Sequence, residues 1–276
     1  MTEQAENTKR IAKNTLMLYV RMLFGMLVSL YTSRVVLQAL GVEDYGIYNV
    51  VGGVVAMFSL LSGSLSAAVS RFLTYELGRN DLVRLSKVFS SALCVHSLLA
   101  LVVLVLSETI GLWFLNYQMN IPPDRMIAAN WVFQFSLFSF LLGLFSVPYN
   151  ASIISHERMS IFAFVGIGDI LLQLGIVLFI AYGEIYSDKL IVYASLLVVK
   201  GLLFQLFYFY YCRKSFKECR FRLSLNKQLL KEMTGFAGWN FIGASSAIYG
   251  GKNEACQYVV GLKMGDCFGF QSVMVE

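Results

Sequence analysis

The stretch that decides the fold runs from Ser33 to Tyr48 and reads SRVVLQALGVEDYGIY. An apolar run ends in a short acidic turn, GVED, and apolar sequence resumes directly after it. This pattern is typical of two membrane-spanning helices joined by a tight turn at the membrane surface. Arg34 lies inside the first apolar run, about two helical turns before Gly41, so its charge needs an explanation.

The composition of the whole chain also favours a membrane protein. Of its 276 residues, 57% are hydrophobic and only 14% are charged, with a mean hydropathy of +0.65. Ordinary soluble domains carry about 25% charged residues. Here the charges are gathered in short clusters between uncharged runs, each about long enough to span ~30 Å of hydrocarbon. We therefore predict an all-α, polytopic membrane helix bundle.

The uncharged runs predict six transmembrane helices and a seventh of marginal length. The six predicted spans cover residues 14–40, 45–70, 88–115, 127–155, 161–182 and 190–212. The first run is too long for a signal peptide and is expected to be retained as a helix. The remaining predicted segments are a polar N-terminal segment (1–13), a basic amphipathic cytoplasmic linker (213–234), the marginal helix (235–251) and an irregular tail (252–276).

Lysine and arginine residues in the connecting segments predict that the N-terminus is cytoplasmic. On the opposite side, the connections hold only Arg125 and Lys189. The cytoplasmic side holds fifteen such residues: Lys9, Arg10, Lys13, Arg71, Arg79, Arg84, Lys87, Arg158, Arg213, Lys214, Lys217, Arg220, Arg222, Lys227 and Lys231. All predicted external connections are short, which leaves no room there for a folded catalytic domain. We therefore expect that the protein is not an enzyme.

Two charged residues lie near the middle of consecutive predicted helices. A charge at the bilayer centre costs at least ~2.5 kcal/mol, so each should have a partner. Consecutive helices are usually antiparallel neighbours, which predicts an ion pair between Asp169 and Lys200, extended by Gln173 and Gln205 into a polar stripe. The pair either fixes helix packing or lies on the wall of a water-filled cavity. In a cavity, Asp169 exchanges a proton or sodium ion, or Lys200 meets an anionic substrate.

Two arginines lie nearer to the ends of the first predicted span. Arg21 is one to two turns from its cytoplasmic start, from which a long side chain can extend to the interface. Arg34 shares a helix face with Tyr31 and Gln38, at i−3 and i+4. Two interpretations stay open for Arg34: it extends outward toward the acidic GVED turn, or it lines the upper part of a cavity.

Motifs for other chemistries are absent from the sequence. There is no Walker loop, no G-x-S-x-G and no H-E-x-x-H, and the GIGD at Gly166 lies in an apolar run without a preceding strand. The five cysteines form no CxxC and no Cys/His ligand cluster. We expect no cofactor, no metal site, no catalytic residue and no nucleic-acid partner, and we expect any transport to be passive or ion-coupled.

The start of the chain resembles a known family of membrane proteins. An arginine (Arg34) precedes Leu40 and Gly41, the pair Tyr45 and Gly46 opens the second span, and a small-residue run ends in SRF at residues 70–72. These features resemble the polysaccharide and O-antigen repeat-unit flippases of the multidrug/oligosaccharidyl-lipid/polysaccharide exporter superfamily. The later FAGWNFIGASSAI, residues 236–248, is similar to the seventh helix of bacterial members, so the resemblance covers about residues 14–248.

The resemblance implies a multi-pass protein of the bacterial inner membrane that serves surface polysaccharide and lipopolysaccharide biosynthesis. Its substrate would be an undecaprenyl-pyrophosphate-linked oligosaccharide, moved between leaflets through a central cationic cavity between two pseudo-symmetric lobes. In this family, alternating access is thought to be ion-coupled in several members. The resemblance implies pyrophosphate contacts for Arg21, Arg34 and Lys200, ion coupling at Asp169, and polar support from Gln173, Gln205 and Gln38.

The chain departs from the family in length. Members usually have about twelve to fourteen helices, whereas this chain supplies one six-helix lobe and the start of a seventh helix. We expect a truncated or frame-shifted product with an unrelated ending from about Tyr249. One lobe has half a cavity and nothing to move against, so we expect transport only if the chain self-associates or pairs with the missing C-terminal lobe.

Three other functions are compared with the flippase. A multidrug cation exporter of the same superfamily is disfavoured by the basic character of the intramembrane charges. A membrane glycan polymerase or ligase would need a large external loop, which the sequence lacks. A non-transporting membrane fragment stays open because of the sequence of the tail.

Overall fold

The computed structural model describes residues 2–56, 58–79, 81–119, 121–184, 188–216, 218–219, 231–240 and 242–243. Within these ranges the chain is helical and contains no strand. The main helices are α1 (Thr2–Ala56), α2 (Ser59–Gly78), α3 (Leu82–Leu106), α4 (Leu112–Tyr117), α5 (Met126–Ser155), α6 (Met159–Tyr182) and α7 (Lys189–Ser215). A π-helical turn, Ser107–Gly111, joins α3 to α4.

Five helical segments of the described chain are long and apolar enough to cross a membrane. They are Thr15–Val55, Leu82–Tyr117, Met126–Ser155, Met159–Tyr182 and Lys189–Ser215. The prediction of an all-α, polytopic membrane bundle is therefore confirmed. The number of uninterrupted segments differs from six because the first two predicted spans are organised differently.

The chain reverses direction at Gly41, inside α1. Gly41 has φ 83° and ψ 170°, a conformation that glycine adopts without steric cost. Before it, α1 runs parallel to α6, from the contact of Met17 with Ser160 to the groove shared by Arg34 and Ala181. The predicted helical hairpin at GVED is thus present, with its arms on either side of Gly41 within α1.

After Gly41 the chain runs parallel to α5, as its side-chain contacts show. The ring of Phe58 lies 6.4 Å from that of Phe140, and the Thr74 hydroxyl donates to the Ser155 Oγ at 3.1 Å. The prediction of one helix over residues 45–70 is wrong in detail. The helix is interrupted between α1 and α2, and α2 continues past Arg71 to Gly78, because a charged residue ends an apolar run without ending backbone hydrogen bonding.

The third predicted span, 88–115, also differs from the structure at both ends. α3 begins at Leu82, where the Asp81 carboxylate accepts hydrogen bonds from the backbone N–H groups of Val83 and Arg84 at 3.1 and 3.0 Å. The span then contains the π-helical turn before α4. At this turn Gly111 lies under the ring of Phe133, and a Cβ there would be 2.7 Å from the ring.

The later spans lie close to their predicted positions, and two apolar clusters hold them together. One cluster contains Phe89, Tyr149, Ile153 and Cys212, near the end of α5. The other contains Val51, Leu115, Ala129, Val132 and Leu190, near the start of α5. The middle of α5 adds buried apolar side chains of its own, Leu137 and Leu144, so the apolar packing extends along this helix.

Polar contacts tie the turns together at each end of the bundle. On the side of Gly41, called here the Gly41 side, Arg125 bonds Asp188 at 2.8 Å and Asp44 at 3.3 Å. On the opposite side, called the N-terminal side, His156 pairs with Glu218 and stacks on Phe216 with ring centroids 4.2 Å apart. Polar contacts between turns therefore stabilise both ends of the bundle.

The predicted flanking segments are only partly described. α1 begins at Thr2, so residues 2–13 of the polar segment continue into the first span as helix. α7 extends to Ser215, into the predicted linker, but residues 220–230 of that linker lie outside the described residues. Residues 231–240 and 242–243 are helical, whereas the rest of the marginal seventh helix and the tail 252–276 lie outside them. The domain boundaries stay predictions.

Candidate functional site: a polar cavity within the bundle

A cavity of about 440 Å³ lies among α1, α5, α6 and α7, level with the middle of α5. Its wall is rich in polar side chains although the surrounding helices are apolar. The polar lining residues are Arg21, Tyr48, Ser139, Ser146, Asn150, Asp169, Gln173, Lys200, Gln205 and Tyr208. Five of the seven site residues predicted from sequence therefore share one cavity: Arg21, Asp169, Gln173, Lys200 and Gln205.

Asp169 and Lys200 form the ion pair that the sequence predicted. The Lys200 Nζ lies 2.9 Å from the Asp169 Oδ1. The two side chains differ in exposure, since 46% of the Asp169 side chain is accessible but only 17% of the Lys200 side chain. The pair also lines the cavity, in agreement with one of the two alternatives that the sequence left open. The carboxylate is the more accessible partner.

Arg21 reaches the cavity by lying across α6. Its Cζ lies 4.3 Å from the centre of the Phe162 ring, close enough for a cation–π contact. The guanidinium also occupies the space next to Gly166, where any added Cβ would overlap it. A glycine at this position is therefore what admits the arginine. The GIGD sequence thus has a packing role, because its first glycine leaves space for the Arg21 guanidinium from α1.

Two amide oxygens in the cavity wall lack hydrogen-bond partners. The Asn150 Oδ1 and the Gln205 Oε1 are buried and have no partner within the described part of the chain. Gln173, by contrast, donates from its Nε2 to the Tyr193 hydroxyl at 3.2 Å. A buried unpaired acceptor costs ~1–3 kcal/mol, so these two oxygens favour a ligand or water that donates to them.

Sequence reasoning missed Asn150. It follows Pro148 by two residues in α5, inside the predicted span 127–155. α5 continues through Pro148, and Asn150 faces the same cavity as Lys200 and Arg21. The available signal was a side-chain amide inside a predicted span, a residue type that usually faces protein rather than lipid.

Arg34 and Gln38 do not face this cavity. They line a separate groove of about 390 Å³ between α1 and α6 on the Gly41 side, together with Tyr31 and Tyr182. Arg34 is exposed and forms no salt bridge with any described residue. Glu43 and Asp44, the acidic residues of the turn that were expected to attract it, do not bond it among the described residues, and Asp44 bonds Arg125 instead.

The cavity combines charges of both signs with unpaired hydrogen-bond acceptors. Two cations, Arg21 and Lys200, face one carboxylate, Asp169, and the unpaired amide oxygens accept hydrogen bonds. Neither histidine lines it: His96 lies inside α3 with its Nδ1 2.8 Å from the Ala92 carbonyl oxygen, and His156 pairs with Glu218. The described residues contain no group of three His, Cys, Asp or Glu placed to hold a metal ion.

Comparisons of the chain with protein-family models, with curated proteins and with solved structures found no match. The cavity and its residues are therefore the main functional feature of the described part of the chain. They belong to a helical protein with several segments suited to a membrane.

Proposed function

We propose that this protein takes part in moving an anionic amphiphile across a bacterial cytoplasmic membrane, namely an oligosaccharide linked through pyrophosphate to a polyprenyl lipid. The observation that carries the proposal is the cavity of about 440 Å³ with Arg21 and Lys200 in its wall. A polar, net cationic cavity inside an apolar bundle is costly to maintain without a polar ligand. The sequence resemblance to oligosaccharide flippases supports the same substrate class.

The two cations suit a pyrophosphate group. Hydrogen bonds from guanidinium and ammonium to phosphate oxygens are charge-assisted and stronger than neutral ones. Arg21 is already oriented by Phe162 and Gly166, so little side-chain freedom is lost on binding. Lys200 exchanges part of its contact with Asp169 for the phosphate, which leaves the accessible carboxylate free to take up a proton or a sodium ion.

The remaining wall suits sugar hydroxyl groups. The unpaired oxygens of Asn150 and Gln205 accept hydrogen bonds, and a glycan supplies many hydroxyl donors. Phe204 and Tyr208 add aromatic surface to the same cavity. The polyprenyl chain would stay in lipid, against the apolar outer face of α1, where Leu23, Leu27 and Leu30 are exposed.

A binding measurement on the full chain tests this function. The probes are undecaprenyl-pyrophosphate-linked oligosaccharide and a neutral analogue with the same glycan and a polyprenol ether. We expect the pyrophosphate probe to bind, and Arg21→Ala and Lys200→Ala each to weaken it about 10-fold, the loss of one charge-assisted contact. Arg79→Ala is the matched control, since Arg79 is exposed and contacts Tyr75 outside the cavity.

Equal binding of the two probes, or no effect of either cavity variant, would contradict the proposal. A transport assay adds the second half of the test. Proteoliposomes that contain the full chain should move a fluorescent pyrophosphate-linked glycan to the opposite leaflet faster than protein-free liposomes, and the Lys200→Ala protein should be slower than the Arg79→Ala protein.

A lipophilic cation is the second candidate substrate. It is favoured by one observation, the greater exposure of the Asp169 carboxylate relative to the Lys200 ammonium. If this candidate is correct, tetraphenylphosphonium will bind to the full chain and Asp169→Asn will weaken its binding. In the flippase proposal the same variant leaves pyrophosphate-probe binding in place, so the two candidates give opposite results.

A further inference from the structure

The groove between α1 and α6 on the Gly41 side is distinct from the central cavity. It has a volume of about 390 Å³, and its lining includes Tyr31, Arg34, Gln38, Ala181 and Tyr182. We propose that this groove binds the phosphate-bearing head group of an anionic phospholipid from the surrounding leaflet. The site is separate from the substrate cavity and does not depend on the function proposed for that cavity.

Arg34 supplies a cation that the protein leaves uncompensated. Its side chain is exposed, and no salt bridge joins it to a described residue. The adjacent turn holds two acidic residues, and neither forms a salt bridge with Arg34 in the described part of the chain. Asp44 instead bonds Arg125 at 3.3 Å, and Arg125 also bonds Asp188. An unpaired guanidinium in an apolar helix is unfavourable, and an anion from outside the protein relieves that cost.

The depth of Arg34 matches the level of lipid phosphates. It precedes Gly41 by seven residues, roughly 10 Å along the helix axis at about 1.5 Å per residue. An arginine at this depth extends toward the interface, where the head groups lie. Tyr31 at i−3 and Gln38 at i+4 share its face, and Tyr182 lies across the groove on α6. Their hydroxyl and amide groups can donate to phosphate oxygens alongside the guanidinium.

The surface next to the groove suits acyl chains. Leu27 and Leu30 lie on α1 at i−7 and i−4 from Arg34, on the same helix face and nearer to the middle of the membrane, and both are exposed. Phe179, on α6, is also exposed. A cationic pocket with an apolar stripe below it fits a lipid with its head group at Arg34. A free phosphate ion would use only the upper part of this surface.

Native mass spectrometry of the full chain tests the site. The chain is incubated with equal amounts of phosphatidylglycerol and phosphatidylcholine of the same acyl composition, and the lipid retained is counted. We expect preferential retention of one phosphatidylglycerol, reduced at least about 10-fold by Arg34→Gln, which removes a charge-assisted contact. Arg79→Gln, at an exposed arginine beside Tyr75, and Lys200→Gln, in the central cavity, should both retain the lipid as the unchanged protein does.

Further experiments distinguish a lipid phosphate from a free phosphate ion and provide a second variant in case Arg34→Gln does not fold. Inorganic phosphate at millimolar concentration should fail to displace the lipid; full displacement would show a soluble-anion site and overturn the proposal. Equal retention of the two lipids, or full retention by Arg34→Gln, would also overturn it. If Arg34→Gln does not fold by circular dichroism, Tyr182→Phe decides, because Tyr182 is exposed and its change should reduce retention about 3-fold through the lost hydroxyl contact. Unchanged retention by Tyr182→Phe would count against the site.

Discussion

The guanidinium of Arg21, on α1, occupies the space that a side chain at residue 166 of α6 would need. An absent side chain on one helix thus sets the position of a charge from another helix. Arg21 also lies over Phe162, one turn earlier on α6, which fixes its plane. The orientation of the cavity's arginine is therefore encoded in α6 as much as in α1.

Gly166→Ala should displace Arg21. We expect a loss of about 1–3 kcal/mol in the free energy of unfolding, as in other overpacked sites, measured by thermal unfolding followed by tryptophan fluorescence. Gly175→Ala is the matched control on the same helix, because nothing lies within 4 Å of a Cβ there. It should be neutral or slightly stabilising, since alanine has the higher helix propensity.

The same prediction has an internal check. If the cost of Gly166→Ala comes from Arg21, the cost should shrink in an Arg21→Ala background, because the guanidinium is no longer there to be displaced. Strictly additive effects of the two changes would show that Gly166 acts through something other than Arg21.

The ion pair of the cavity predicts unequal effects of its two deletions. Asp169→Ala leaves the largely enclosed ammonium of Lys200 without a partner, whereas Lys200→Ala leaves a carboxylate that is half accessible. We expect Asp169→Ala to be the more destabilising change, by about 1–3 kcal/mol in thermal unfolding. The double variant should be more stable than Asp169→Ala alone, and equal stability of the two single variants would contradict this account.

The stability that the ion pairs of Arg125 provide on the Gly41 side should depend on the salt concentration. Arg125→Ala removes contacts to both Asp44 and Asp188, and we expect it to lower the unfolding free energy by about 1–2 kcal/mol at low salt and by less at high salt. Asp188 also accepts a hydrogen bond from the Leu190 N–H at 3.0 Å, as the N-cap of α7.

Two substitutions of Asp188 separate these roles. Asp188→Asn keeps a capping oxygen and should lose only the salt-dependent part of the stability. Asp188→Ala should lose both parts. Identical salt profiles for the asparagine variant and the unchanged protein would mean that the ion pair contributes nothing measurable.

Cys219, beyond the end of α7, should be a slow nucleophile. Its hydrogen bond with the Cys212 thiol and its burial raise the pKa of the Cys219 thiol above its ordinary value. A raised pKa lowers the thiolate fraction, and the thiolate is the reactive form. We therefore expect little maleimide labelling of Cys219 at pH 7 and little increase at pH 9, measured by peptide mass spectrometry. Labelling should become complete once the protein is denatured.

The sequence predicted the later spans well for a physical reason. The polar residues that end the apolar runs around α5, α6 and α7 coincide with the helix ends, so hydropathy and backbone hydrogen bonding stop together. At α2 and α3 they do not: Arg71 lies inside α2 and Lys87 inside α3, because these helices continue beyond the apolar segment. The π-helical turn before α4 leaves no mark on hydropathy.

Contacts in the candidate site were predictable when they follow from the depth of two residues in the membrane. They were not predictable when they depend on which helices pack together. Asp169 and Lys200 are at similar depths on consecutive antiparallel helices, so their contact followed from sequence. Helical periodicity also predicted that Arg34 lies on a polar helix face. The sequence does not show which helix packs against that face, because this depends on the tertiary structure. That neighbour is α6, and the residue consequently lies in a groove away from the cavity. Asn150 could have been noticed as an amide inside a predicted span, but its place in this cavity also depends on how the helices pack.

The parallel pairing of the first membrane segment with α6 has a consequence for biosynthesis. The residues that meet Met17 and Arg21, namely Ser160 and Gly166, are synthesised far later than the segment that they accommodate. Until then the newly inserted hairpin has lipid in place of α6, and hydropathy alone must hold it in the bilayer. During that interval Arg21 and Arg34 must extend to opposite surfaces of the membrane. Arg21 reaches its final position beside Gly166 only when α6 packs against it. The first arm of the amino-terminal hairpin thus acquires this neighbour only after α2, α3, α4 and α5 have been synthesised.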